Sequence, residues 1–195
     1  MVEQESAGRY FAVRTLANTD HFSTVKPDGF DHPAHKLLVE FWLRHYGPPL
    51  SSELCTLLDL SKEDMRARNL PYFTPALLLA LLNVDGFPSW VLNEIRPGSA
   101  EELRNRFRLF LDCELRAPGG FKDFDWYDHP DVREAQEFSL RGNFSVVTET
   151  HLFRAVLYSE SKTVAQIKDY LGEKDFGRVL YLIQSGNDYR AFTPE

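Results

Sequence analysis

Residues 31–44, DHPAHKLLVEFWLR, return 97 residues later as DHPDVREAQEFSLR, residues 128–141. Asp, His, Pro, Glu, Phe, Leu and Arg recur in register without a gap. Lys36 is answered by Arg133, and an aromatic residue, Phe30 or Tyr127, precedes each Asp. The offset is about half of the 195 residues. A self-match at that period outranks any local reading, because it predicts the architecture directly. It predicts an all-α protein of two related helical halves, residues 1–97 and 98–195, packed together with little or no strand. Weaker matches flank the segment: Arg9, Phe11 and Leu16 share their spacing with Arg108, Phe110 and Leu115.

Each copy reads as a helix start. Proline fixes its own φ and lacks an N–H, which suits the first turn, and the residue before it prefers an extended shape. Helices are therefore expected from Pro33 and from Pro130. In the first, Ala34, Leu37, Leu38, Phe41 and Trp42 fall at helical spacing; in the second, Val132, Ala135, Phe138 and Leu140 do so more sparsely. Phe41 and Phe138 occupy matched positions and are expected as matched buried anchors. Glu40 to Arg44 and Glu137 to Arg141 are i,i+4 pairs in the favourable order, worth roughly 0.2–0.5 kcal/mol each on an exposed face. Gly47-Pro48-Pro49 ends the first helix, and Gly142-Asn143 ends the second.

The rest of the chain is punctuated as helices. Ser51 or Ser52 caps a short one through Leu58, and Ser61, with Asp64 three residues on, caps another that stops at Pro71. Thr74-Pro75 opens PALLLALLN, the most apolar stretch. Leu77, Leu78, Leu79, Leu81 and Leu82 cover almost the whole circumference, and a helix apolar all round is buried among others. Phe87, Trp90, Val91, Leu92 and Ile95 follow as a further short apolar segment. Ser99 with Glu102 predicts a capping box for a helix over about residues 100–116, with Leu103, Phe107, Phe110 and Leu111 inward. Val146 and Val147 allow a short strand, while Thr148 or Thr150 equally suits a cap for the helix holding Leu152, Phe153, Val156 and Leu157. Helices over 163–171, ended by Gly172, and 175–184, ended by Gly186, finish a chain of nine to eleven helices.

Composition narrows the function. Lys and Arg number 22 against 29 Asp and Glu, a net charge of −7 shared by both halves. Nucleic-acid affinity comes largely from neutralising phosphates, so this balance argues against a nucleic-acid partner. Cys55 and Cys113 are the only cysteines. Two isolated thiols form neither a zinc pattern nor a disulfide framework, and reduced thiols fit a cytoplasmic protein. The first residues are polar and acidic, unlike a secretory signal, and no apolar run reaches the ~18–20 residues that span a bilayer.

Four constellations bear on chemistry. Asp31, His32 and His35, and in the second copy Asp128 and His129, offer donors for a divalent metal. Val132 stands where a second His35 would be, so the copies share no ligand set. The preferred reading has Asp31 and Asp128 accepting hydrogen bonds from helix N-terminal N–H groups while the imidazoles close the turn. Arg104, Arg106 and Arg108 interleave with Phe107 and Phe110, but at helical spacing the rings turn inward and Glu101, Glu102, Asp112 and Glu114 offset the arginines. Residues 51–68, around a turn at Asp59, and 163–180, around Gly172, each suggest a helix-turn-helix whose second helix is of mixed charge. The loop FKDFDWYDHP gathers aromatics, Trp126 among them, with carboxylates that have no fixed catalytic separation. Phosphate loops, nucleophile elbows and zinc-protease motifs are missing from the sequence.

These readings favour a non-enzymatic adaptor or accessory protein that presents a helical groove to a protein partner, with no cofactor or metal. A DNA-binding regulator with tandem helix-turn-helix units is the second class. A metal-dependent or hydrolytic enzyme using the Asp-His-Pro sites is the third.

Overall fold

A computed structural model of the chain describes residues 32–70, 73–113 and 120–185. The chain divides into two compact units, Met1–Tyr46 and Gly47–Glu195. In the first, α1 (Pro33–Tyr46) begins at the proline, as expected. Its start is closed by His32, whose Nδ1 accepts from the Ala34 amide at 3.1 Å. Leu43 is buried, but Leu38, Trp42 and Tyr46 are exposed, and Phe41 is 50 % exposed. Phe41 is thus not a buried anchor. The apolar positions of α1 cover more of the circumference than one buried stripe can take, and Phe41 falls outside it. Asp31 lies outside the described residues.

The second unit contains α2 (Ser52–Arg68), α3 (Phe73–Asn83), α4 (Phe87–Ile95), α5 (Ser99–Cys113), α6 (Pro130–Arg141), α7 (Glu149–Tyr158), α8 (Lys162–Leu171) and α9 (Glu173–Ser185), with a 3-10 turn at Trp126–Asp128. A single core runs from Leu50 to Ile183. Among the described residues the only extended pairing is an isolated parallel bridge, Leu50 with Val147. It is held by the Ser51 amide on the Val147 carbonyl at 2.9 Å and the Val147 amide on the Pro49 carbonyl at 2.8 Å. The valines of residues 144–150 therefore make one bridge and no strand, while Thr148 becomes the N-cap of α7, in a capping box with His151.

Two sequence-based helix starts are corrected. Residues 52–68 form one helix, with no turn at Asp59, so the first helix-turn-helix does not exist. Ser51 is the cap, its hydroxyl accepting from the Leu54 amide at 3.1 Å. Ser61 is buried inside the helix and donates to the Leu57 carbonyl four residues back at 2.9 Å. A Ser that bonds back into its own helix has no need to start a new one, and no Gly or Pro breaks residues 52–68. Leu54, Leu57, Leu58, Ser61 and Met65 make one continuous buried stripe. The helix ends at Asn69, in the left-handed region at φ 54°. The second correction is at α5. The Ser99 hydroxyl donates to the Leu92 carbonyl at 2.7 Å, and the Ala100 amide is capped instead by Asn93 of α4, at 3.2 Å.

Helix α3 is the centre, as its composition demands. Leu77, Leu78, Leu81 and Leu82 are at most 1 % exposed, and α2, α4, α5 and α7 all pack on it. Burying each such side chain contributes ~1.5–3 kcal/mol relative to leaving it exposed. The chain bends by 85° between Thr74–Asn83 and Phe87–Ile95. Ser89 holds the corner, its hydroxyl lying 3.2 Å from the Leu82 carbonyl and 3.0 Å from that of Val84. Among the described residues no single helix is long and apolar enough to cross a membrane.

Beyond the core, α6 packs along α7, and α8 turns into α9 through Gly172 at φ +82°. That conformation suits glycine, and no other heavy atom lies near the place of a Cβ, so the turn is set by backbone and not by space. Arg96 donates to the carbonyls of Tyr170 and Leu171 at the end of α8, at 3.0 and 3.2 Å. Cations and donors are favoured there by the helix dipole.

Candidate functional site

The second Asp-His-Pro start is built as a closed structural unit. The His129 Nδ1 accepts from the Asp131 amide at 3.2 Å, the bond His32 makes at α1. The histidine, not the aspartate, is the cap. Asp128 is exposed, and its carbonyl and that of Tyr127 both accept from Arg133, at 3.0 Å each. Burial, with Arg133 nearby as a lesser cause, pulls the His129 imidazole down to about 4. A neutral ring with a lone pair on Nδ1 is what an N-cap requires.

Asp131, the second residue of the same helix, is 5 % exposed. Its carboxylate takes a long 3.4 Å hydrogen bond from the Thr74 hydroxyl. Burial raises its pKa, with the Thr74 bond opposing. Thr74 is therefore occupied by Asp131 and does not cap α3, which begins one residue earlier, at Phe73.

The aromatic loop ahead of this start clamps onto α2. Lys62 bonds the Phe124 carbonyl at 2.5 Å and the Asp123 carboxylate at 2.6 Å. Its ammonium sits 5.0 and 5.1 Å from the ring centres of Phe124 and Trp126. Trp126 is half-buried, meets Phe124 edge-on, and donates its indole N–H to Asp59 at 3.3 Å. The Phe121 amide donates to Asn69 at 2.9 Å. The carboxylates of the loop thus include one that serves an ion pair: Asp123 is held below the usual carboxylate range, first by its hydrogen bond from Lys62.

Of the positions singled out in the sequence, Trp126, Asp128 and His129 lie together at this clamp. His32 and His35 belong to the first turn of α1, where His35 is partly exposed. Among the described residues no three His, Cys, Asp or Glu side chains gather where a metal ion would be held. Cys55 is a free, half-buried thiol pushed up by burial and by Asp59.

The concave feature of the second unit is elsewhere. A half-open groove of about 960 Å³ runs between α2 and α3. Leu57, Ser61, Ala76, Leu79 and Ala80 form its base; Leu60 and Val84, 59 % and 52 % exposed, form its lips. The α4 start closes one end with Gly86 and Pro88, and Val146, Thr148 and Glu149 add a wall. Arg68 and Arg108 reach the other end. Ala76 and Ala80, at i,i+4, line the groove together with Ser61, and their small side chains leave space that larger ones would fill. In sequence Leu60 reads as a core position alongside Leu54, Leu58 and Met65, but the unbroken α2 leaves it 59 % exposed; the available signal was Val84, an apolar residue in a polar turn.

No protein-family model matches this chain, and no curated protein matches it either.

Proposed function

We propose that this protein is a non-enzymatic adaptor that receives a segment of a protein partner in the groove between α2 and α3. The observation that carries the reading is the pair of exposed apolar lips, Leu60 and Val84, over an apolar base of this length. Contiguous exposed apolar surface rimmed by polar residues marks an interaction site. Among the described residues of its base, Leu57, Ser61, Ala76, Leu79 and Ala80, none is ionisable; the buried His129 and Asp131 lie at the start of α6, and His151 is engaged in the capping box of α7. The repeat of residues 31–44 in 128–141 we take as an internal duplication, supported by the shared histidine cap.

The test is hydrogen exchange on a captured partner complex, with Leu60→Asp and Val84→Asp as controls. Both side chains are exposed, so the fold tolerates the changes. Partner binding protects α2 and the turn at Val84, and either substitution abolishes it. Protection confined to other elements removes the reading. DNA binding is the competing class, and it would use α8 and α9, which meet at Gly172. The second of these helices carries Glu173, Lys174, Asp175 and Arg178, which cancel. Duplex DNA retarded at low salt, with an affinity falling steeply as salt rises, would put that class first.

A further inference from the structure

The groove has a direction, and the direction identifies what fits it. We infer, resting on the groove reading above, that the occupant is an amphipathic helix of a partner protein whose basic residues gather at one end.

The shape argues for a helix. Among the described residues there is no strand, hence no sheet edge onto which an extended peptide would add. The groove follows α2 from Glu53 to Arg68, which at 1.5 Å per residue is ~22 Å, the length of a partner helix of about four turns. Small residues in the base, Ala76, Ala80 and Ser61, let a second backbone approach closely.

The charge is segregated along that length. Helices α2 and α3 pack on each other, and the groove is lined both by the start of α2, at Ser51 and Glu53, and by the residues after α3, at Val84 and Asp85. Glu53, just inside the start of α2, and Asp85, just past the end of α3, both line the groove. Glu53 is held below the usual carboxylate range by its own backbone amide, Ser52 and Ser51, so it is ionised. At the opposite end Arg68 bonds both Asp64 and Asp112, which leaves that end close to neutral with Arg108 beside it. With a Debye length of ~8 Å at physiological salt, the two ends act separately on a bound segment. A helix with Lys or Arg in one terminal turn matches this arrangement, and the net charge of −7 steers it in.

The experiment selects from a displayed library of 16-residue helical peptides against the full chain. Their stripe positions are varied among Leu, Ile, Phe and Met, and their outer positions among Lys, Glu, Gln and Ala. Enriched peptides are expected to carry Lys in one terminal turn. Their binding is expected to weaken about tenfold in Glu53→Lys/Asp85→Lys, more so at low salt, and to vanish in Leu60→Asp/Val84→Asp. Enriched peptides without an end bias, or indifferent to the charge changes while lost in Leu60→Asp/Val84→Asp, overturn this inference and leave the groove reading standing. An empty selection, or binding that survives Leu60→Asp/Val84→Asp, removes the groove as well. A concentration-dependent dimer in sedimentation, abolished by Leu60→Asp, makes a second copy the occupant and also refutes the proposal.

Discussion

Acidification should unlock two helix starts at once. His129 is the N-cap of α6 and His151 the third residue of the capping box of α7, and each is held down to about 4 by burial first and then by a neighbouring arginine, Arg133 or Arg154. Each Nδ1 accepts a backbone N–H, from Asp131 at 3.2 Å and from Thr148 at 3.1 Å. In the unfolded chain these imidazoles titrate near their ordinary 6.5. Between about 4 and 6.5 the unfolded state therefore binds more protons, so stability falls as pH drops through that window. For a shift of this size, the loss from pH 7 to pH 5 is about 2 kcal/mol per histidine, or roughly 4 kcal/mol together. That is a large part of a typical domain stability of ~5–15 kcal/mol.

Asp131 and Glu134 act in the opposite sense. Burial raises both, Asp131 against its Thr74 bond and Glu134 with help from Asp131 and Glu137, so each returns stability as pH falls through its folded value. Comparison with His129→Asn/His151→Gln isolates the histidine contribution. Asn is a good N-cap, and Gln suits the third position of a capping box, so both starts keep an acceptor that does not titrate. Urea melts at pH 7 and pH 5 should show the double variant losing roughly 4 kcal/mol less than the parent chain. Equal losses would refute the account of both caps.

Two further outcomes distinguish the observed helix starts and core from the expected ones. Ser51→Ala should cost about 1 kcal/mol as the loss of a true N-cap, while Ser61→Ala should stay within about 0.5 kcal/mol, read by denaturant melts. Phe153→Ala, at a fully buried position, should cost ~3–5 kcal/mol, whereas Phe41→Ala should cost less than ~1 kcal/mol.

The candidate site was only partly legible before the fold was known. Its base comes from two helices whose packing no local pattern specifies. Leu57 and Leu60 are distinguishable in sequence only as two apolar residues, yet one is buried and the other exposed at 59 %. The difference is set by where α3 lies, and α3 brings alanines to that face. The charged lining is harder still to foresee: Glu53 and Asp85 are far apart along the chain, and only the packing of α2 with α3 puts both on the groove.

Local physics alone settled the helical class. Proline at N1 set the starts of α1 and α6, glycine set the break at 172, and the leucine-rich circumference of α3 required burial among other helices. Those are properties of single residues and their nearest turns. The tertiary structure decided which of several adequate donors and acceptors each helix end uses. Ser99 turned to Leu92 because α4 packs against it, Thr74 turned to Asp131, and Ser61 stayed inside an unbroken α2. A cap is worth only ~0.5–2 kcal/mol, which a buried partner from another helix readily outweighs. Phe41 and Phe138 hold matched positions in the repeat, yet the first is half exposed and the second packs on the core beside Tyr158 and Arg154. Burial depends on what a helix meets, and identical residues on two helices that meet different neighbours have different fates.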